Sequence, residues 1–546
     1  MSTRSFHAHS HISFYHPLAF WAGTVMVITG VIAHIPMFLN AADMNFHMAG
    51  MQMSLLMTVG MYGIVAGTVV VAWGLMPGNV FATGKQLHID SANVHVQALD
   101  NAELTPTHWK LFAVLVVALI VDVMKPATLG FVVPGTAAEY GLTKQQVALL
   151  PMAGILGTTM GSFLWGWLGD TIGRRASILL AAMIFIGTAI CGAMPSYNWN
   201  VFMCWLMGFG AGGMLPITFA LLAEVVPRKQ RGWLIVLLGA TGTIGGYLAA
   251  SGFAALLEPI YGWRIMWFLG LPTGVILILL NRYIPESPRF LLAKGNNEEA
   301  YRVMQSFGVE IIQQPAVTTS TDRAKPADSV RAGNLGDMFR RPYTGLTMGL
   351  GMYGMAWGLV NFGFLLWLPL NLREIGMSVA ASDAILAKSA IIAFPATLAG
   401  AWLYHSWSTK NTLILFALLT VATLCGFAAT GDNLANQPVL MSSLLIALLA
   451  SSSGVIAMLS PYTAEVFPVH IRATASGWSA GCSKGAGVAT LGAAALVGLT
   501  PGMATAAMLA AVPTLLAAVA VAWKGIETRG LGLEAIQSFS APQSDL

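Results

Sequence analysis

Four ionisable side chains lie inside long apolar runs of this sequence: Asp122, Lys125, Lys388 and Lys484. A charge within an apolar membrane segment is costly unless it is paired or faces water, and it commonly marks a functional pathway. Asp122 and Lys125 are three residues apart, so they share a helix face and can pair. We predict that protonation of Asp122 frees Lys125 to bind an anion. The alternative is a permanent internal ion pair.

Three lysines against one aspartate leave the predicted site positively charged, which attracts an anion in a medium of low dielectric constant. An organic carboxylate is the first expectation. Lys484 is flanked by glycines that permit close helix approach, and we predict that it contacts the substrate. Lys388 lies in the outer part of its apolar run. It either contributes to the same site or extends to the outer membrane surface.

Tyr353, Trp357 and Asn361 are spaced four residues apart and would share one face of a helix. Tyr353 and Asn361 are predicted to offer the substrate an aromatic ring and a hydrogen-bonding amide. The alternative is that the three residues pack against neighbouring helices, as aromatic stripes usually do.

Composition excludes a soluble globular chain: 56% of the 546 residues are hydrophobic and 9% are charged, against about 25% charged in soluble domains. The four cysteines lie inside apolar runs, and we expect no disulfide. No phosphate-binding Gly-x-x-x-x-Gly-Lys-Ser/Thr loop and no nucleophile–base constellation stands out. We therefore expect neither an ATP-driven pump nor an enzyme, no cofactor and no nucleic-acid partner.

A spanning helix needs about 20 apolar residues, which predicts an all-α polytopic membrane protein with fourteen spans. Two extra helices, near Phe14–Phe38 and Ser54–Leu75, precede a twelve-helix core. The core helices are predicted to start near Trp109, Gln146, Ala176, Asn200, Gly232, Gly262, Tyr343, Ser382, Asn411, Gln437, Ala473 and Pro501.

Lysine and arginine crowd alternate loops, which places those loops and both termini on the cytoplasmic side. The second linker should begin with a helix near Glu298–Gln305. The predicted organisation is a cytoplasmic tail (1–13), an extra hairpin with a Met/His-rich outside loop (14–76), a cytoplasmic linker (77–108), an N-terminal six-helix half (109–284), a cytoplasmic linker (285–342), a C-terminal six-helix half (343–524) and a cytoplasmic tail (525–546).

A short charged loop, Gly166-Trp-Leu-Gly-Asp170-Thr-Ile-Gly173-Arg174-Arg175, joins the second and third core helices. Asp170 is placed to accept N–H groups at the start of the next helix. Ala223-Glu-Val-Val-Pro227 with Arg231 returns as Ala464-Glu-Val-Phe-Pro468 with Arg472, and Glu286 is repeated by Glu527. These motifs resemble those of the major facilitator superfamily, in particular its sugar-porter and metabolite:proton symporter branches.

The resemblance implies two six-helix halves that alternate access to a midplane site. Asp122 is the predicted proton-coupling residue of that site. The resemblance also implies a monomer, in a bacterial inner membrane, whose partners are protons, lipid and a small-molecule substrate. Residues at the inner helix ends would form a gate: Asp170, Arg174, Arg175, Glu224, Arg231, Glu465 and Arg472.

The aromatic-acid symporters of this family carry two acids three residues apart, followed by Gly-Phe-x-x-Pro. Asp122 and Gly130-Phe-Val-Val-Pro134 match that pattern, but Lys125 stands in place of the second acid. Cys204 and Lys484 stand where relatives place arginine. The fifth core helix lacks the Gly-Pro motif of drug antiporters, which favours symport. The substrate of any one relative is therefore not transferred to this chain.

The outside loop of the extra hairpin holds Met44, His47, Met48 and Met51, at positions i, i+3, i+4 and i+7. On a helix they would form one face of soft ligands suited to Cu(I). The alternative is an interfacial helix whose methionines rest on lipid. An organic-anion symporter is the first expectation for function. A copper transporter, a neutral sugar or metabolite transporter, and a non-transporting membrane sensor remain open.

Overall fold

The computed structural model describes residues 15–76, 99, 102–294, 296–309, 338–431, 434, 437–467, 469–497 and 502–529. Within these ranges the regular structure is helical and contains no strand. Helices satisfy their own backbone hydrogen bonds, which is what a chain in hydrocarbon requires. This confirms the all-α polytopic class. The predicted tail 1–13 and most of the linker 77–108 lie outside the described residues.

The extra hairpin is built on close contact between glycines. It consists of α1 (Pro17–Ile32), α2 (Ile35–Asn40) and α3 (Leu55–Leu75). A Cβ atom at Gly23 would lie 2.6 Å from the carbonyl oxygen of Gly67, and one at Gly30 would lie 2.6 Å from that of Gly60. Only glycine permits this approach at both levels.

The N-terminal half contains the six predicted spans, two of which are interrupted near glycine. Its helices are α4 (Pro106–Tyr140), α5 (Lys144–Thr171), α6 (Arg174–Gly187), α7 (Tyr197–Ala211), α8 (Met214–Val225), α9 (Arg228–Tyr261), α10 (Ile265–Phe268) and α11 (Gly270–Leu280). The helices α7 and α8 together form the fourth core span, and α10 and α11 form the sixth. The hairpin packs on this half, where Thr24 of α1 reaches Met183 of α6.

The second linker begins with two short helices, α12 (Pro288–Ala293) and α13 (Asn297–Ser306). The second of these confirms the helix predicted near Glu298–Gln305. Arg302 pairs with Glu298 at 2.6 Å, one turn away on the same face. Residues 310–337 of the linker lie outside the described residues.

The C-terminal half repeats the arrangement. Its helices are α14 (Thr344–Gly358), α15 (Leu368–Glu374), α16 (Val379–Ser406), α17 (Thr409–Thr430), α18 (Pro438–Val466), α19 (Val469–Val497) and α20 (Met503–Lys524). A π-helical turn, Leu359–Leu365, joins α14 to α15 within the seventh core span.

Thirteen helical segments of the described residues are long and apolar enough to span a membrane. The helix at the position of the eleventh core span, α19, is 29 residues long but is not among these thirteen. The predicted count of fourteen therefore stays a prediction. We name the face that carries Glu286 and Glu527 the inner face and the face that carries Arg264 and Arg373 the outer face, following the orientation predicted from the sequence.

Candidate functional site

Lys484 joins the two halves of the molecule. It projects from α19 in the C-terminal half, and its Nζ donates hydrogen bonds to Ser162 Oγ and to the carbonyl oxygen of Thr158 (3.3 Å), both on α5 of the N-terminal half. Ser162 Oγ in turn donates to the same carbonyl at 2.8 Å. The predicted substrate-binding lysine therefore lies in the seam between the halves.

Asp122 of α4 is the acidic counterpart of Lys484. Asp122 is 5% exposed, and its Oδ1 has no hydrogen-bond partner among the described residues. Lys484 interacts with it electrostatically across the seam. A buried carboxylate with an unoccupied oxygen, in the field of an ammonium group, can exchange protons and respond to a second anion. The structure thus brings together two of the residues singled out in the sequence.

Lys125 does not join this pair. It is 2% exposed, and its Nζ has no hydrogen-bond partner among the described residues. The ammonium group lies against Gly270 at the start of α11, where a Cβ atom would collide with it. The predicted pairing of Lys125 with Asp122 is therefore wrong: the long lysine side chain extends into the N-terminal half, whereas Asp122 interacts across the seam. A role of Lys125 in substrate binding stays a prediction.

The three polar and aromatic residues of the seventh core span have separate environments. Tyr353 is 1% exposed and its hydroxyl donates to the carbonyl oxygen of Leu413 at 3.0 Å, so it packs inside the C-terminal half. Trp357 lines a cavity of about 10 Å³, room for one water molecule. Asn361 is partly exposed in the π-helical turn. That wider turn breaks the predicted common face, and such turns are frequent at functional sites.

Lys388 lies on the surface of the C-terminal half. It is exposed and lines an open groove of about 390 Å³ between α16 and α18, together with Met377 and Met441. This position corresponds to the surface alternative for Lys388 rather than to a site shared with Lys484.

At the inner face, Glu286 caps the start of α6. Its Oε1 accepts the N–H of Arg174 at 2.7 Å and its Oε2 accepts that of Arg175 at 3.3 Å. A carboxylate at a helix N-terminus satisfies unpaired N–H groups and the helix dipole. The backbone turns at Gly173 with φ +106°, and a side chain there would collide with Glu286. Glu286 therefore makes the contacts predicted for Asp170, whose side chain lies outside the described residues.

Two predicted gate residues pair next to this cap. Arg174 Nη2 lies 3.1 Å from Glu224 Oε1, which ties α6 to α8, and Arg175 Nε donates to Asn281 Oδ1 at 2.6 Å. Arg231 donates to the carbonyl oxygen of Val226 at 3.2 Å. These contacts stabilise the inner end of the N-terminal half.

The C-terminal half has the corresponding cap. Glu527 accepts hydrogen bonds from the N–H and Oγ1 of Thr409, at 3.0 and 2.7 Å, and from Ser408 Oγ at the start of α17. Glu465 accepts from Tyr404 at 3.0 Å and from Thr528 at 2.5 Å. The side chain of Arg472, the arginine of the same motif, lies outside the described residues.

The two capping carboxylates differ in acidity. Burial raises the pKa of Glu286 to about 7, although the backbone N–H groups of Ser287 and Arg174 act in the opposite direction. Burial alone would raise the pKa of Glu527 as well, but hydrogen bonds from Ser408 and Thr409 outweigh it and hold that pKa below its ordinary value. The capping carboxylates at the same position of the two halves therefore respond to pH in opposite directions.

The outer face has an ion cluster that the sequence reading missed. Arg373 Nη2 lies 3.0 Å from Glu258 Oε1 on α9 and 3.2 Å from Asp383 Oδ1 on α16. An exposed pair, Lys144 with Glu374 at 3.4 Å, lies at the same face. Both contacts join the N-terminal half to the C-terminal half.

A second buried ion pair fastens the extra hairpin to the core. Glu139 at the end of α4 lies 2.7 Å from Arg264, and their side chains are 3% and 1% exposed. Glu139 also accepts the N–H groups of Met48 (2.8 Å) and Ala49 (3.0 Å) in the hairpin loop, and Trp263 Nε1 at 2.8 Å. The loop is therefore held by a core carboxylate.

The predicted helical face of soft ligands in that loop is wrong. A short 3-10 helix, Ala42–Met44, ends at Asn45 with φ +52°. Met48 is fully buried, whereas Met44 and His47 are exposed, and Met51 is partly buried. The turn at Asn45 and the docking of the loop on Glu139 break the helical register, so these four side chains share no helical face.

The outer carboxylates and arginines could have been found by one signal. Outer loops carry few positive charges, so Arg264 and Arg373, which lie at the outer face, are a sequence signal for carboxylate partners. Glu139 and Glu258 lie in the last turns of long apolar helices. A carboxylate at such a position needs a cation, and these arginines are the available ones.

Comparison with known proteins identifies the family. Residues 111–491 match the family profile of the Major Facilitator Superfamily. The chain is 26% identical to the niacin transporter NiaP of Acinetobacter baylyi over 449 residues, covering 81% of this chain and 99% of that protein. It is 26% identical to the 4-hydroxybenzoate transporter PcaK of the same organism over 419 residues, covering 75% and 89%.

Among solved structures, the proton:xylose symporter XylE bound to 6-bromo-6-deoxy-D-glucose has the same fold, with a TM-score of 0.61 at 18% identity, covering 80% of this chain and 100% of that one. A partially occluded, inward-open form of XylE from E. coli has a TM-score of 0.59 at 16% identity, covering 78% and 100%. With the family profile, the apolar helices and the two-half arrangement together, this integral membrane protein is a transporter, not an enzyme, and belongs to the major facilitator superfamily.

Proposed function

We propose that this protein carries a small organic carboxylate across the membrane together with a proton, by alternating access at the seam between its halves. The observation that carries the proposal is that Lys484 of the C-terminal half donates hydrogen bonds to α5 of the N-terminal half and interacts electrostatically with Asp122 of that half. One ammonium group from one half thus faces a protonatable carboxylate from the other. This is where a substrate would be bound by both halves at once.

The names of the relatives support a narrower class of substrate. Niacin and 4-hydroxybenzoate are aromatic rings with one carboxylate each, and both relatives align over most of this chain. A single carboxylate matches the single ammonium group of Lys484 in the seam. We therefore infer an aromatic monocarboxylate as the substrate.

Charge balance in the site supports coupling to a proton. The empty site holds Asp122 as carboxylate and Lys484 as ammonium, with a net charge of zero. A bound carboxylate adds one negative charge in a desolvated seam, which is costly. One proton on Asp122 restores neutrality, because the substrate then becomes the partner of Lys484. The proposal thus specifies one proton for each substrate molecule.

The same proposal includes a monomer in a bacterial inner membrane with both termini cytoplasmic. The support for this orientation is the crowding of lysine and arginine in the loops of the inner face.

The test is uptake into proteoliposomes that are alkaline inside, with radiolabelled nicotinate and 4-hydroxybenzoate as probes. The protein should accumulate at least one of them. Lys484→Ala should weaken its binding by roughly 10- to 150-fold, because a charge-assisted hydrogen bond is worth about 1.5–3 kcal/mol. Lys388→Ala removes an equivalent charge from the same half and should leave uptake unchanged.

Two results would contradict the proposal. One is unaltered uptake by Lys484→Ala. The other is a protein that transports neither carboxylate but exchanges a neutral sugar such as xylose, which would point to a sugar site instead.

A further inference from the structure

At the outer end of the seam, one arginine is held between two carboxylates. Arg373 Nη2 lies 3.0 Å from Glu258 in the N-terminal half and 3.2 Å from Asp383 in the C-terminal half. The side chains of these residues are 13%, 4% and 0% exposed, in that order. The contact is therefore both buried and shared between the two halves.

The charges of this cluster do not balance. Two carboxylates and one guanidinium leave one negative charge in a desolvated site, which is costly. Glu258 and Asp383 both lie against the same guanidinium nitrogen, which brings the two carboxyl groups close together. Two carboxylates that share a buried site repel each other, and a proton on one of them removes that repulsion. Glu258 Oε2 is buried and has no hydrogen-bond partner among the described residues, so a proton shared with Asp383 would satisfy it.

The neighbouring groups do not supply the missing positive charge. Ser382 Oγ accepts from Arg373 Nε at 3.5 Å and donates to Asp383 Oδ1 at 3.2 Å. Asp383 acts electrostatically on Tyr247 of α9, and a phenol brings no positive charge to the cluster. At the same face, Lys144 is exposed and already pairs with Glu374 at 3.4 Å. A proton is the remaining way to neutralise the cluster.

We propose that Glu258 and Asp383 share one proton while the outer face is closed, so that this cluster is a proton-binding outer gate separate from Asp122. Opening the outer face separates Arg373 from Glu258 and hydrates both carboxylates, and the shared proton leaves to the outside water. Closing takes one proton from that water. The inference rests on the proposed function for its alternation between open and closed states, but it concerns a different proton.

The gate can be measured without substrate. Spin labels at Gln145→Cys on α5 and Ala380→Cys on α16, both exposed on the outer side, would report the separation of the halves by double electron–electron resonance. The four native cysteines would be replaced by serine in full-length protein in lipid nanodiscs. Linkage to one proton predicts that the closed-to-open ratio falls by up to about tenfold for each pH unit as pH rises.

Two variants remove the need for a proton. Glu258→Gln and Asp383→Asn each replace a carboxyl group with an amide that can donate to the remaining carboxylate. Both should keep the outer face closed and abolish its dependence on pH, and either one suffices if the other does not fold. Glu374→Gln changes the exposed carboxylate next to Arg373 and should keep the wild-type dependence.

The proposal is overturned if the wild-type distances do not change with pH. It is equally overturned if Glu258→Gln and Asp383→Asn retain the wild-type dependence. Asp122→Asn distinguishes the gate proton from the coupling proton. If the pH-dependent change in the spin-label distance is lost in this variant alone, the proton that controls the outer face belongs to Asp122. An unchanged dependence, with proton-driven uptake lost, would support both the gate and the coupling role of Asp122.

Discussion

Replacing Asp122 with asparagine should separate substrate binding from proton-driven accumulation. Asparagine has nearly the same size and still accepts a hydrogen bond, but it binds no proton. In this variant the positive charge of Lys484 and the negative charge of a bound carboxylate cancel without a proton. Substrate can therefore enter and leave in both states of the seam, but the proton gradient no longer acts on it.

The size of the effect on binding follows from the interaction that the substitution removes. Lys484 interacts electrostatically with Asp122 in the wild type, and a substrate must compete with that carboxylate. For unit charges on the order of 6 Å apart, at an effective dielectric constant of about 20, the attraction is about 3 kcal/mol. Asp122→Asn should therefore strengthen binding of the substrate anion by at most roughly 100-fold, and binding should lose its dependence on pH.

The assay compares two modes of transport in the same proteoliposomes. Net uptake of 4-hydroxybenzoate driven by a pH gradient should fall to the level of empty liposomes in Asp122→Asn. Exchange of labelled for unlabelled substrate, at equal pH on both sides, should persist. Glu374→Gln removes an exposed carboxylate and serves as the control, with both modes expected at wild-type level.

Two results would refute this reasoning. Accumulation against the gradient by Asp122→Asn would show that another group binds the coupling proton. Loss of exchange in a variant whose melting temperature equals that of the wild type would place Asp122 in substrate binding instead of proton coupling.

Three further predictions follow from the same charges. First, one proton for each monocarboxylate makes transport electroneutral. A potassium diffusion potential set with valinomycin should therefore not change the initial rate of uptake. An electric current that accompanies substrate transport would contradict the charge balance. Second, the capping carboxylates should respond to pH with opposite signs. The pKa of Glu286 is raised to about 7, so the stability it contributes is present below its unfolded pKa and is lost as pH rises through 7. The pKa of Glu527 is lowered, so its contribution is present above its unfolded pKa and is lost as pH falls. Melting temperatures of the wild type, Glu286→Gln and Glu527→Gln would be measured from pH 4 to pH 8. The melting temperature of Glu527→Gln should fall furthest below that of the wild type near pH 8. Glu286→Gln should lose less stability than the wild type as the pH rises through 7. Third, Glu139→Gln should weaken two charge-assisted hydrogen bonds to the hairpin loop, and hydrogen exchange at Met48 and Ala49 should speed up by roughly 10- to 100-fold, while unchanged exchange would show that the loop is held in another way.

The fold was largely predictable because apolar runs define the spans. Nearly every described core helix begins within about four residues of the position expected from the sequence, as at Pro106 for Trp109 and Met503 for Pro501. The helix near Glu298 was also found. Membrane helices must satisfy their backbone internally, so length and hydropathy carry most of the information.

The site was only partly predictable because its contacts are distant in sequence. Lys484 was recognised as a buried cation, but its partner Ser162 lies 322 residues away, and no local spacing indicates that contact. The local rule for residues three apart favoured a pair of Asp122 with Lys125, and it failed because Lys125 turns towards Gly270. Helix spacing predicts which residues share a face but not which neighbour a long side chain reaches.

The seam between the halves carries charged side chains at three levels. Arg373 with Glu258 lies at the outer level and Lys484 with Ser162 in the middle. At the inner level, Glu465 of one half lies beside Gly232 of the other, where a Cβ atom would be 3.0 Å from its Oε1. An apolar seam would resist opening in proportion to the surface exposed, at about 25 cal/mol for each Å².

Ionic contacts behave differently when they open. Water hydrates the separated charges, so the net cost of breaking a buried pair that becomes exposed is small compared with its attraction when closed. A seam held in this way can open at one face while it stays closed at the other, with a proton or a substrate charge deciding which face opens. The same side chains that make the seam costly to bury thus make it reversible, which the proposed alternation between two states requires.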